Sequence, residues 1–249
     1  MSRLVNLLVF FLVPVALQAQ SLSAEAIVKK TDANMRGNTL QAEMVIKTIR
    51  PTWTREMTVK TWMKGSNYAM ILLTHPPKDK GVAFLKRKKE VWNWVPTLER
   101  SIKLPPSMMS QSWMGTDFTN DDLVKEASIV EDYTHKLAGD TNLNGRNCYV
   151  ITMIPKPGAA VVWGMLRMYV DKSKFVEVQV KFFDEDGELV NVMNSMEIGQ
   201  MGGRTIPIRV EMIPMDKKNQ RTEIVYRNLV FDKPIDDGFF SIQQLKNLQ

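Results

Sequence analysis

Of the 249 residues one is cysteine, Cys148, and two are histidine, His75 and His135. A lone thiol excludes an intramolecular disulfide and every multi-cysteine metal site. In the strand-like setting CYVITMI it is best buried. No G-x-S-x-G, H-E-x-x-H, C-x-x-C or glycine-rich phosphate loop is present, so no nucleophile meets a base. The chain reads as a non-enzyme that needs no cofactor and no metal. Beyond the N-terminus no apolar run is long enough to span a bilayer.

The N-terminus has the one long apolar run. Arg3 precedes the stretch at residues 4–17, no acid occurs before Glu25, and Ala16, Ala19 and Ser21 follow. A run this short, followed by small residues, is a secretory signal peptide, expected at residues 1–19 with cleavage after Ala19. Residues 20–249 are then one exported domain, about 230 residues, a size common for a single all-β unit. Losing Arg3 lowers the formal net charge from +6 to +5. That surplus is spread along the chain; it predicts no nucleic-acid partner and only weak attraction to anionic membranes.

SAEAIVKKTDANM suits an amphipathic helix ended by Gly37, with Ala26, Ile27 and Met35 near one side. Period-two alternation then dominates, as in Leu40, Ala42, Met44, Ile46, or Val176, Val178, Val180, Phe182, or Ile206, Ile208, Val210, Met212. Turn clusters such as MKGSN, GDTNLNG, DEDG and DKKNQ separate these runs, so the strands are antiparallel and joined by hairpins. About ten or eleven strands are expected, interrupted near residues 105–125. In EVWNWVP, Trp92 and Trp94 oppose Val91 and Val95. In VVWGMLRMYV, Trp163, Met165 and Tyr169 oppose Val162, Leu166, Met168 and Val170. Strands apolar on both faces must be covered on both. Trp53 and Trp62 are expected on opposite faces of their strand. Lys86, Arg87, Lys88 and Lys89 read as a solvated hairpin tip. Methionine, at 17 residues, suits surfaces that accept variable apolar partners.

The interruption carries SQSWMGTDFTNDDLVKE. Pro105 and Pro106 stop a strand and can start a helical turn. Met108, Met109, Trp113 and Met114 then fall near one face at helical spacing, and Gly115 ends the turn. Thr119 and Asp122 match the capping-box pattern ahead of Leu123 and Val124. Asp121 and Asp122 sit in that first turn, where carboxylates favour the exposed N–H groups. The same account argues against Asp117, Asp121 and Asp122 as a catalytic pair, which needs carboxylates across a cleft. Asp184, Asp186 and Gly187 resemble half a calcium loop, but the next ligand positions are Leu189 and Val190, so a hairpin turn is expected there.

VWNWVPTLERSIKLPPSMMSQSWMGTDFTNDDL closely resembles a segment of the LolA-like outer-membrane lipoprotein-sorting proteins. The matching residues are Trp92, Pro96, Arg100, Trp113, Met114, Gly115, Thr116, Asp117, Phe118 and Thr119. Asn93 and Asn120 depart from the residues common in that group. The resemblance implies a mainly β fold: one curled antiparallel sheet forming an incomplete barrel, with helices as plug or lid on the concave side. It implies a periplasmic, monomeric carrier of lipid or lipoprotein acyl chains, trafficking toward the outer membrane. The alternative is an accessory or sensor module that binds a hydrophobic ligand and works with an inner-membrane RND-type exporter or a signalling partner; an outer-membrane acceptor is the other expected partner. Expected cavity and plug residues are Trp92, Trp94, Met108, Met109, Trp113, Met114, Phe118, Trp163 and Met165. Pro96, Arg100, Gly115, Thr116, Asp117, Thr119 and Asp122 are expected to shape the motif.

Overall fold

The structure, a computed structural model, describes residues 22–125 and 129–248. The expected signal peptide lies outside the described residues. Helix α1 (Ala24–Arg36) begins where the Ser23 hydroxyl accepts from the Ala26 N–H at 3.1 Å and ends at Gly37, whose φ of 61° suits glycine. Its buried side is Ala24, Ile27, Val28 and Thr31.

Six strands follow: β1 (Thr39–Ile49), β2 (Thr54–Lys64), β3 (Tyr68–His75), β4 (Ala83–Arg87), β5 (Glu90–Val95) and β6 (Arg100–Lys103). After residues 104–132 come β7 (Tyr133–Leu143), β8 (Arg146–Pro155), β9 (Met165–Asp171), β10 (Glu177–Phe183), β11 (Leu189–Met201), β12 (Arg204–Pro214) and β13 (Arg221–Phe231). The chain closes with helix α2 (Ile242–Asn247).

The thirteen strands form one sheet in the order β6-β5-β4-β3-β2-β1-β13-β12-β11-β10-β9-β8-β7. Neighbours pair antiparallel throughout, and only the β1–β13 pairing is non-sequential. The chain thus starts mid-sheet, meanders to one edge at β6, crosses to the opposite edge at β7, and meanders back to β1. The edges β6 and β7 do not pair with each other, so the sheet curls without closing into a barrel. Residues 104–125 and 129–132 lie across the concave face between those edges. The count exceeds the ten or eleven expected because β3 and β4 are buried along most of their length and read as plain apolar runs without alternation.

The main core lies on the concave side, where α1 and the crossing segment meet the sheet. A second cluster lies on the outer face under the C-terminal segment: Phe240 and Leu245 are fully buried against Met70, Leu72 and Leu85. Of the helices expected on the concave side, α1 lies there, but α2 covers the outside. The aromatic side chains of β2 to β5 demand that cover. Trp62 meets Phe239 and Tyr68 meets Phe240, each pair with ring centroids 5.4 Å apart. Trp53 precedes β2 and is exposed, so it shares no strand with Trp62. Among the described residues no helix is long and apolar enough to cross a membrane.

Candidate functional site: a cavity beneath the crossing segment

The crossing segment is built from tight turns instead of one helical turn. Pro106–Met108 and Trp113–Gly115 are separate 3-10 turns. Between Trp113 and Phe118 the chain doubles back, because Met114 (φ 51°) and Gly115 (φ 78°) leave the right-handed region. The Trp113 N–H donates to the Phe118 carbonyl at 2.8 Å, and the Thr116 hydroxyl donates to the Trp113 carbonyl at 2.7 Å. Trp113 and Phe118 both drop into the concave core, Trp113 fully buried with its ring centroid 5.6 Å from that of Phe84.

Two polar constructions hold this loop. Arg50, just past β1, donates two parallel bonds to Asp117, Nη1 to Oδ2 at 2.9 Å and Nη2 to Oδ1 at 3.0 Å. The Thr222 hydroxyl of β13 donates to the same carboxylate at 2.7 Å and accepts from the Asp117 N–H at 3.0 Å. Next, the capping box forms reciprocally: the Thr119 N–H donates to Asp122 Oδ2 at 2.8 Å, and the Asp122 N–H donates to Thr119 Oγ1 at 3.1 Å. It opens a single wide helical turn, Asp121–Lys125. The indole Nε1–H of Trp163 donates to the other oxygen, Asp122 Oδ1, at 2.8 Å, which ties the crossing segment to the chain entering β9.

Between this segment, α1 and strands β9 to β13 lies a half-enclosed cavity of about 250 Å³. Its walls are largely apolar: Leu166, Met168, Val180, Phe182, Val210, Met212 and Tyr226 from the sheet, Phe118 and Leu123 from the crossing segment, Met35 from α1. A space of about 70 Å³ continues toward β1 to β3, lined by Met44, Ile46, Val59 and Trp113, and shares Leu123 and Tyr226 with the larger one. Water needs only about 10–15 Å³ of such space, so the interior is well short of filled.

Of the expected cavity residues, Phe118 and Trp163 line the larger space and Trp113 the smaller. Met109 is buried in the concave core, and Met108 and Met114 pack against it without lining either space. Trp92 and Trp94 are outside, in the cluster under α2, because β5 turns Val91 inward and its alternate residues outward. Met165 does not reach the cavity; Leu166 and Met168 do. Trp163 lies before β9 begins and escapes that strand's alternation, so it shares the inner side with Leu166 and not with Met165. Of the motif residues, Thr116, Asp117, Thr119 and Asp122 make the hydrogen bonds above. Gly115 supplies the left-handed turn, Pro96 opens the turn between β5 and β6, and Arg100 is exposed on edge strand β6. Asp184 accepts from the N–H groups of Asp186 and Glu188, an ordinary hairpin turn. Among the described residues no group of three His, Cys, Asp or Glu could hold a metal ion.

One lining residue was not legible as such: Glu177. Strict alternation sets it outward with Gln179 and Lys181. An irregularity in the β9–β10 pairing, between Glu177 and Gln179, reverses the phase, and Glu177 joins Val180 and Phe182 at the cavity. Burial, with the like charge of Asp32, pushes its carboxyl up to about 7. Burial likewise pushes Asp122 up to about 6, against the hydrogen bonds from Trp163 and Thr119 that favour its charged form. The Tyr133 phenol, also at the cavity, is raised by burial and by the neighbouring charges of Asp121 and Asp122.

An open wall of antiparallel strands with a helix and a crossing loop over a partly unfilled concave interior defines a half-barrel. A family model whose description reads "-like: Uncharacterized protein" matches residues 65–247, and the chain belongs to that family. No curated protein matches the sequence. Solved structures share the fold: a DUF1329 family protein from Desulfovibrio piger has TM-score 0.80 and 20% identity over 89% of this chain and 97% of its own. A protein assigned as an outer membrane lipoprotein-sorting domain, from Vibrio parahaemolyticus, gives 0.79 and 18% over 90% and 98%. A LolA superfamily protein from Nitrosomonas europaea gives 0.78 and 20% over 90% and 100%.

Proposed function

We propose that this protein is a periplasmic carrier, without catalytic chemistry, for the acyl chain of a lipid or lipoprotein on its way to the outer membrane. The observation that carries the reading is the unfilled, apolar cavity between α1, the crossing segment and β9 to β13. A buried methylene contributes ~0.8 kcal/mol, so a long chain gains enough to stay bound only where most of its length leaves water. Methionine and aromatic walls (Met35, Met168, Met212, Phe182) can repack around different chains and still let them go. The names borne by proteins of the same fold, lipoprotein-sorting domain and LolA superfamily, agree with carriage. The apolar N-terminal run supports export. In this reading the cargo passes to a membrane-bound partner, an RND-type exporter or an outer-membrane acceptor.

The test is native mass spectrometry and lipid extraction on the exported protein, with binding of a fluorescent apolar reporter in solution. A lipid bearing a long acyl or alkyl chain should co-purify. Val180→Trp, which fills the cavity from its wall, should weaken binding by about tenfold or more, the loss of one or two methylenes' worth of burial. Repeated recovery of empty protein that also fails to bind the probe would refute carriage.

A further inference from the structure

The ionisable groups in the cavity wall are nearly all of one sign. Four acids line it, Asp32, Asp121, Asp122 and Glu177, against one cation, Arg36. Arg36 is engaged: its Nε donates to Asp32 Oδ1 at 2.6 Å. Asp122 is engaged too, with Trp163 on one oxygen and the Thr119 N–H on the other. Glu177 differs. Only its backbone is bonded, the carbonyl accepting from the Ser195 hydroxyl at 2.6 Å. Among the described residues its carboxyl meets no donor and no cation, and the charge that bears on it is that of Asp32, of its own sign. Lys30 of α1 sits over the Phe175 ring, 3.8 Å from its centroid.

Glu177 is half-buried, and the β9–β10 irregularity turns it toward the cavity, where regular pairing would leave it facing bulk water. Such re-aiming by a bulge is a recurrent way to place a side chain at a site. Whatever occupies the cavity meets an acceptor with no protein donor, in a negative local field.

We propose that Glu177 receives the polar end of the carried molecule, and that this end donates hydrogen bonds and bears no negative charge: an amine or a hydroxyl on a long apolar chain. The proposal rests on the carrier reading and narrows it. A carboxylate or phosphate head entering beside Glu177 would confront two like charges; an ammonium gains a charge-assisted bond and an ion pair there, and a hydroxyl the bond without the ion pair.

The experiment compares three probes of equal chain length, dodecylamine, dodecanol and dodecanoate, displacing a fluorescent apolar reporter from the full exported chain near pH 8. Dodecylamine and dodecanol should each bind more tightly than dodecanoate, the amine by about tenfold, the equivalent of one pKa unit of charge interaction. If the amine leads, the head is an ammonium; if the alcohol leads, it is a hydroxyl; either supports the proposal. Glu177→Gln, an isostere that removes the charge and brings its own donor, should erase most of the amine's advantage over dodecanoate. Glu188→Gln, in the exposed turn after β10, should leave the ranking unchanged. Dodecanoate binding as tightly as the other two, or an unchanged ranking in Glu177→Gln, overturns the proposal while leaving carriage intact. Failure of all three probes to bind overturns both.

Discussion

Arg50 and Asp117 form a two-pronged ion pair, at 2.9 and 3.0 Å, that pins the crossing segment to the β1–β2 end of the sheet. The Asp117 side chain is 3% exposed and that of Arg50 12%, so neither could find water if the other were removed. Asp117 lies in the Trp113–Phe118 loop, and the Thr222 hydroxyl of β13 also donates to its carboxylate. The pair is therefore a structural latch for the segment that roofs the cavity.

Removing one partner of a buried pair strands the other charge. Asp117→Ala should cost about 3–5 kcal/mol in urea unfolding, and Arg50→Ala a comparable amount. The double variant should cost clearly less than the two added together. Additive losses would show that the latch is not a unit.

Gly164 is required by space. A Cβ there would lie 2.4 Å from the Asp184 carbonyl oxygen and 2.7 Å from its carbon, both backbone. Gly164→Ala should destabilise by about 1–3 kcal/mol and, by shifting the adjacent Trp163, weaken the indole bond to Asp122. Unfolding curves and tryptophan fluorescence together check this; an unchanged midpoint would mean the turn moves aside freely.

The raised carboxyl of Glu177 makes stability depend on pH. Its folded value, about 7, exceeds the ordinary 4.5, so between those values the folded state holds more protons than the unfolded one. Stability then falls as pH rises through that window, and the loss is complete above it. Glu177→Gln should be more stable than the parent by roughly 2 kcal/mol near pH 8, with the gain vanishing near pH 4. Asp122, raised from 3.8 to about 6, adds a fall of the same sign at lower pH. Denaturant midpoints across the range decide it; a gain that persists at pH 4 would reflect packing and not titration.

Trp94 and Val180 separate the two faces of the sheet. Trp94→Ala, in the outer cluster with Phe240 and Leu245, should lower stability by about 2–3 kcal/mol and leave chain binding unaltered. Val180→Trp should do the reverse, since Val180 lines the cavity. Loss of binding in Trp94→Ala with the fold intact would move the site to the other face.

Period-two runs such as Ile206, Ile208, Val210, Met212 specified antiparallel strands, because alternation survives wherever one face is wet. The capping pair Thr119 and Asp122 was equally legible, being a contact between residues three apart. So was the need to cover both sides of EVWNWV. What alternation cannot state is which side is inside: Val91 faces the cavity side and Trp92 and Trp94 the outer helix, although the tryptophans are the larger apolar groups. That choice belongs to the direction in which the whole sheet curls and to where α2 lands. The Arg50–Asp117 latch joins residues 67 apart, and the inward turn of Glu177 comes from a slip in strand pairing. Local chemistry therefore named the elements, whereas the cavity, its roof and its acidic lining exist only once distant strands have chosen their partners.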